Sequence, residues 1–125
     1  MDAPSNLKYT KSDEWFDPET GKMGLTDYAQ DQLSDIVFVE MLVEVDDETE
    51  AGSAIASVES VKASAETYAS AGGKVVAVNE DLADKPEVLN SDPYGEGWMV
   101  QVEGGEPGEV MDAAAYEKYC KEREE

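Results

Sequence analysis

The chain contains no histidine and a single cysteine, Cys120, among 125 residues. Without histidine it lacks the side chain that most often serves as general base at neutral pH and as zinc ligand. With one cysteine it can form neither an intrachain disulfide nor a Cys-x-x-Cys metal pair, a usage that fits a reducing compartment. Cations are also scarce: 9 Lys and Arg stand against 30 Asp and Glu, a formal net charge of −21. Such a surface repels nucleic acid and anionic lipid, which are both polyanions. It serves either as a solubilising coat in a salty cytoplasm or to steer basic partners, and composition alone favours the first. No apolar run approaches the ~20 residues of a membrane-spanning helix. Met1-Asp2-Ala3-Pro4 has neither the basic nor the apolar region of a secretory signal. A cytoplasmic location is expected, or the mitochondrial matrix if a transit segment has been removed. Hydrophobic residues make up 41%, enough for one core, so residues 1–125 are expected to form a single domain; a monomer is expected.

Gly, Pro, Asn and Asp punctuate the middle of the chain roughly every eight to twelve residues, the rhythm of a small all-β domain. Leu7–Tyr9, Trp15-Phe16 and Met23–Leu25 read as short strands, with Pro18–Gly21 as a turn. Thr26 or Asp27 can cap a short helix through about Leu33, because their side-chain oxygens satisfy free N–H groups. Ile36–Val39 is a continuous apolar run and predicts a strand buried on both faces. Asp46–Glu50, rich in carboxylates, reads as a solvated loop, and the EF-hand pattern is absent. Ala54, Ala56 and Val58 alternate, and Ala63–Ala69 and Val76–Val78 follow as further strands. Asp84-Lys85-Pro86 predicts the start of a short helix. Asn90–Gly95 has turn chemistry, Trp98, Val100 and Val102 alternate as a last strand, and Gly104–Gly108 is a loop. A C-terminal helix is expected at about residues 112–123, with Ala113, Tyr116, Tyr119 and Cys120 on its apolar face.

The alternation breaks between two strands at Glu59-Ser60-Val61-Lys62-Ala63-Ser64. Lys62 is therefore expected at the tip of a β-turn, projecting from a rigid base. Spacing alone suits an ordinary turn lysine paired to an acid such as Glu59 or Glu66. Spacing alone favours that reading; the functional alternative is an amine presented for acylation, since a turn tip can be reached from many directions. A long tether attached there would raise the effective concentration of its far end near a partner's active site.

Seven segments, in order along nearly the whole chain, carry a specific resemblance. They are Leu7-Lys8-Tyr9, Glu14-Trp15, Gly24–Gln30, Asp35–Glu40, Val58–Ala63, Val75–Asn79 and Asn90–Trp98. Together they resemble the glycine cleavage H-protein family of lipoyl carriers. The resemblance implies a mainly β fold, a flattened barrel-sandwich hybrid of two small sheets with short peripheral helices. It also implies a carrier that is the substrate of other enzymes and not itself an enzyme. Lys62 falls on the lipoylated lysine, with Glu59, Ser60, Val61 and Ala63 as its attachment motif and lipoate as the attached cofactor. Ser12 and Glu14 fall on positions of the cleft that docks the loaded arm, and Glu66 falls where an aspartate assists. The implied partners are a pyridoxal-phosphate glycine decarboxylase, a tetrahydrofolate-dependent aminomethyltransferase, the FAD enzyme dihydrolipoamide dehydrogenase and a lipoate-attaching enzyme.

The sequence also departs from that pattern. Asp13-Glu14-Trp15 stands where His-Glu-Trp is usual, Met41–Asp47 lacks the usual Pro and Gly, and Ser70-Ala71 replaces Pro-Val. Two alternatives stay open on sequence alone. One is a related lipoyl carrier of another pathway, such as sulfur oxidation. The other is an unmodified acidic binding module whose Lys62 is merely a turn residue. A biotin carrier is disfavoured because Met-Lys-Met is absent, and no metal site is indicated.

Overall fold

A computed structural model describes residues 3–104 and 106–124. Met1, Asp2, Gly105 and Glu125, which the expected domain, leader reading and loop include, lie outside the described residues. Six strands make one antiparallel sheet in the order β1 (Lys8–Tyr9), β2 (Glu14–Phe16), β3 (Lys22–Leu25), β9 (Val100–Glu103), β8 (Gly73–Val78) and β5 (Glu48–Thr49). The second sheet has the order β4 (Ile36–Met41), β6 (Ala54–Ser60) and β7 (Ser64–Tyr68). Helix α1 (Asp27–Leu33), the single turns α2 (Asp81–Asp84) and α3 (Val88–Ser91), and the C-terminal α4 (Ala113–Glu124) lie at the periphery. This is the mainly β, two-sheet architecture that the sequence predicts.

The main core lies between the sheets. Phe16, Met23, Val75, Val100 and Val102 of the first pack with Ile36, Val39, Ile55, Ala56 and Val58 of the second. Each fully buried side chain of this size contributes roughly 1.5–3 kcal/mol. A second cluster, Leu7, Tyr9, Trp15, Tyr28, Tyr116 and Cys120, joins the first strands to α4. Tyr9 and Tyr116 stack there at 4.7 Å, and the lone thiol of Cys120 is buried. Strand β2 therefore has cover on both faces. Trp15 belongs to the α4 cluster, while Phe16 faces the other sheet. Side chains alternate along a strand, so Glu14 shares the inner side with Phe16.

Several local expectations are corrected. Strand β4 is not buried on both faces: a register shift between Ile36 and Phe38 leaves Val37 and Phe38 exposed while Ile36 and Val39 point inward. The Asp46–Glu50 segment is not wholly loop, because Glu48–Thr49 pairs with Lys74 and Gly73 as β5. The helical turns begin at Asp81 and Val88 instead of Asp84, with Lys85-Pro86-Glu87 between them. Proline lacks the N–H that continuing a single helix would need. Trp98 precedes the last strand, which starts at Val100. Gly21 has a φ of +82°, and a Cβ there would lie 2.1 Å from the Val102 carbonyl oxygen. Only glycine fits that turn.

Thr26 caps α1 as the sequence predicts. Its hydroxyl accepts from the Ala29 amide at 3.1 Å and shares a 2.6 Å hydrogen bond with the Tyr116 hydroxyl of α4. Thr26→Ala should cost about 1–2 kcal/mol in urea unfolding, the value of a lost N-cap. Thr26→Ser, which keeps the hydroxyl, should recover most of that loss.

Candidate functional site

Lys62 stands at the tip of the β6–β7 hairpin, where Glu59 pairs with Ser64. Ser60 builds the turn. Its hydroxyl oxygen accepts from the amides of Lys62 (3.2 Å) and Ala63 (2.9 Å) and donates to the Ala63 carbonyl (3.0 Å). Its own amide donates to that same carbonyl at 2.8 Å. Small polar side chains that bond the backbone a few residues on are suited to fixing such turns. The amide of Val61 donates to the Asp35 carbonyl at 3.0 Å, tying the tip to the segment between α1 and β4. Asn90 braces that segment: its Oδ1 accepts from the Ile36 amide, and its Nδ2 donates to the Ser34 carbonyl, each at 2.9 Å.

The Lys62 side chain is exposed, and its Nζ donates to the Gln32 carbonyl at 3.2 Å. That carbonyl belongs to the last turn of α1, where a cation meets the negative end of the helix dipole. The amine is thus not paired to Glu59 or Glu66; the described ion pairs are Lys74–Asp46 and Arg123–Asp13. Glu59 and Ala63 are exposed beside it, and Val61 is 68% exposed.

Glu14 is 1% exposed, so it is not a solvated surface acid. Its Oε1 accepts from the hydroxyls of Ser12 and Thr10, the latter at 2.7 Å, and its Oε2 accepts from the Tyr68 amide of β7 at 3.2 Å. The carboxyl therefore bridges the two sheets. Burial pushes its pKa from 4.5 up to about 7, against the lowering effect of those three donors, and the neighbouring Asp13 charge raises it further. Ser12 and Thr10 also line an open depression of about 480 Å³ with Lys11, Ala51, Gly52, Ala69, Ser70, Gly108 and Glu109. Ser12 and Glu14 are brought together directly. Glu66 lies on β7 two residues before Tyr68, is exposed, and makes no described hydrogen bond or ion pair to either.

Sequence reasoning missed Thr10 and the Tyr68 amide. The alternating positions Thr10, Ser12 and Glu14 are a detectable signal for the first. The second depends on the stacking of the sheets and leaves no local mark.

The raised pKa has a defined thermodynamic sign. The folded state holds the Glu14 proton more tightly than the unfolded chain does. This group's contribution is full below about pH 4.5 and is lost as pH rises through about 7. The loss is on the order of 3 kcal/mol. Glu14→Gln, neutral throughout, should remove that part of the fall when urea stability is followed across the same window.

Comparisons with known proteins identify the family. Residues 7–124 match the family described as glycine cleavage H-protein. The chain is 51% identical over 118 residues to the glycine cleavage system H protein of Deinococcus deserti, covering 94% of this chain and 97% of that one. It is 44% identical over 127 residues to the H protein of Halothermothrix orenii, covering 100% and 98%. The crystal structure of a glycine cleavage system H protein from Mycobacterium marinum superposes with a TM-score of 0.85 at 32% identity, over 98% of this chain and 99% of that one. A match over nearly the full length, together with the lysine-tipped hairpin, places the chain in the glycine cleavage H-protein family.

Proposed function

We propose that Lys62 carries a lipoyl group, joined as an amide to Nζ, and that the chain shuttles the aminomethyl group of glycine as a single-domain monomer. The observation that carries this reading is the exposed Lys62 at a turn held by Ser60, in a chain that matches H proteins end to end. Acylation would remove a cation whose described partner is one helix carbonyl, so the folded body gives up little. When attached, the dithiolane would supply a reducible disulfide for aminomethyl transfer; the partners in this reading are a pyridoxal-phosphate glycine decarboxylase, a tetrahydrofolate-dependent aminomethyltransferase and dihydrolipoamide dehydrogenase. A lipoate-attaching enzyme completes the partner set.

The chain's own residues present the arm and receive its cargo. The turn fixes where the tether starts, and the antiparallel β6–β7 pair fixes its direction. In this reading Ser12, at the rim of the open depression, and the buried Glu14 bonded to it hold the loaded arm, with exposed Glu66 on β7 as a further carboxylate and Glu14 as the group that answers the cationic amine. Oε1 already accepts two donors and Oε2 only one, so the remaining lone pair that can take a further donor is on Oε2. With a pKa of about 7 it is partly protonated at neutral pH, and an approaching ammonium favours the ionised form. Binding and proton release are therefore linked in this site.

Lys62→Arg should fold with stability within about 0.5 kcal/mol of the parent, as expected for an exposed position. It should show no mass gain with a lipoate ligase, because guanidinium is a poor acyl acceptor. Glycine decarboxylation and carboxyl exchange in a reconstituted system should vanish with it; turnover that survived would reject the mechanism. Parent protein that gains no mass would indicate an unmodified binding module. Mass gain without glycine turnover would indicate a carrier of another pathway. Glu14→Gln should accept lipoate normally but lose its loaded amine faster, followed by ammonia release.

A further inference from the structure

We propose that Asp13 and Arg123 act as a positioning pair for Glu14, so that helix α4 governs both the placement and the charge of the carboxyl in the docking cleft. The proposal rests on the reading of Glu14 as the group that answers the cargo amine. Asp13 lies between Ser12 and Glu14 with a φ of +73°, a left-handed conformation that Asp tolerates better than most residues. Its backbone is pinned on both sides: its amide donates to the Thr10 carbonyl at 3.2 Å, and its carbonyl accepts from the Thr26 amide at 3.0 Å.

Its carboxylate is held by α4. Arg123 Nη1 donates to Oδ2 at 3.1 Å and Nη2 to Oδ1 at 2.7 Å, the two-pronged geometry that suits guanidinium and carboxylate. The Tyr116 hydroxyl donates to Oδ1 at 2.9 Å. Arg123 is itself seated against two rings, with its guanidinium carbon 4.4 Å from the centroid of Tyr28 and 4.3 Å from that of Tyr119. The pair is only partly exposed, 30% for the Arg123 side chain and 18% for that of Asp13, so solvent screens it incompletely. The residues flanking Asp13 are the ones that bond each other, Ser12 to Glu14. Turning Asp13 out of its conformation would separate them.

The pair is also electrostatic. Among the groups acting on Glu14, the Thr10 and Ser12 hydroxyls and the Tyr68 amide are uncharged, while Asp13 is an anion that disfavours a second charge beside it. Arg123 offsets that anion. A pair that merely anchored α4 would behave alike when broken from either side. A pair that tunes Glu14 would not.

The test is the titration of Glu14 in the full, unloaded chain, followed by carboxyl carbon-13 NMR. Asp13→Asn tolerates the same left-handed backbone and removes the anion. It should lower the Glu14 midpoint by about half a unit or more, a modest part of the ~1–3 units that a directly adjacent charge produces. Arg123→Gln leaves Asp13 uncompensated and should raise the midpoint by a similar amount. Shifts in the same direction, or none, would overturn the proposal. If Arg123→Gln lost α4, the Asp13→Asn arm would still decide, since a midpoint at or above the parent value contradicts it. An unchanged amine lifetime in Glu14→Gln would instead remove the cargo role of Glu14 and leave these midpoints standing.

Discussion

A carboxyl group buried between two sheets, with three donors from two different elements converging on it, is the constraint on which this structure turns. Removing an ionisable group from water is costly unless its oxygens are bonded. Here the Thr10 and Ser12 hydroxyls and the Tyr68 amide meet that need. The result is a link from β2 to β7, the strand that leads back from the lysine-bearing turn. Because β2 is covered by the Trp15–Tyr116 cluster on one face and by the other sheet on the second, the carboxyl has little room to relax into solvent. Burial and hydrogen bonding oppose each other at this group, and burial prevails by enough to bring its ionisation close to neutrality.

The lysine hairpin follows a different logic. It is held by backbone and hydroxyl contacts, not by charge, in a chain whose acids outnumber its bases by 21. Were the Lys62 amine locked to a carboxylate, acylation would have to break an ion pair and strand an anion. Resting on a helix carbonyl, the amine is free of that cost. Exposed Val61, Val37 and Phe38 lie on the segments that meet at this tip, and the register shift in β4 is what turns the last two outward. A lysine proposed to carry a tether must be reachable from several directions, and a firm turn with an exposed side chain meets that requirement.

Much of the architecture could be read from residue order. Thr26 as a cap, the 60–63 turn and the C-terminal helix each follow from local chemistry, and the structure has them where they were expected. What escaped is non-local or depends on an irregularity. An apolar run such as Ile36–Val39 looks doubly buried until a bulge rotates half of it outward. The Glu48–Thr49 strand is defined by its partner Lys74-Gly73 and not by its own acidic side chains. The exposed turn position of Lys62 was legible because the strand alternation breaks there. The burial of Glu14 was not, since one acid among 30 looks like any other. Its bond to Tyr68 spans 54 residues, and the Asp13–Arg123 contact spans 110.

The lone thiol is shielded from exchange chemistry. Cys120 sits 2% exposed in the aromatic cluster beneath α4. A thiol at the surface could attack any disulfide tethered to the same polypeptide, trapping it as a mixed disulfide. Sequestering Cys120 denies the proposed dithiolane an internal redox competitor. Electrons are then exchanged with visiting enzymes and not squandered within the carrier itself.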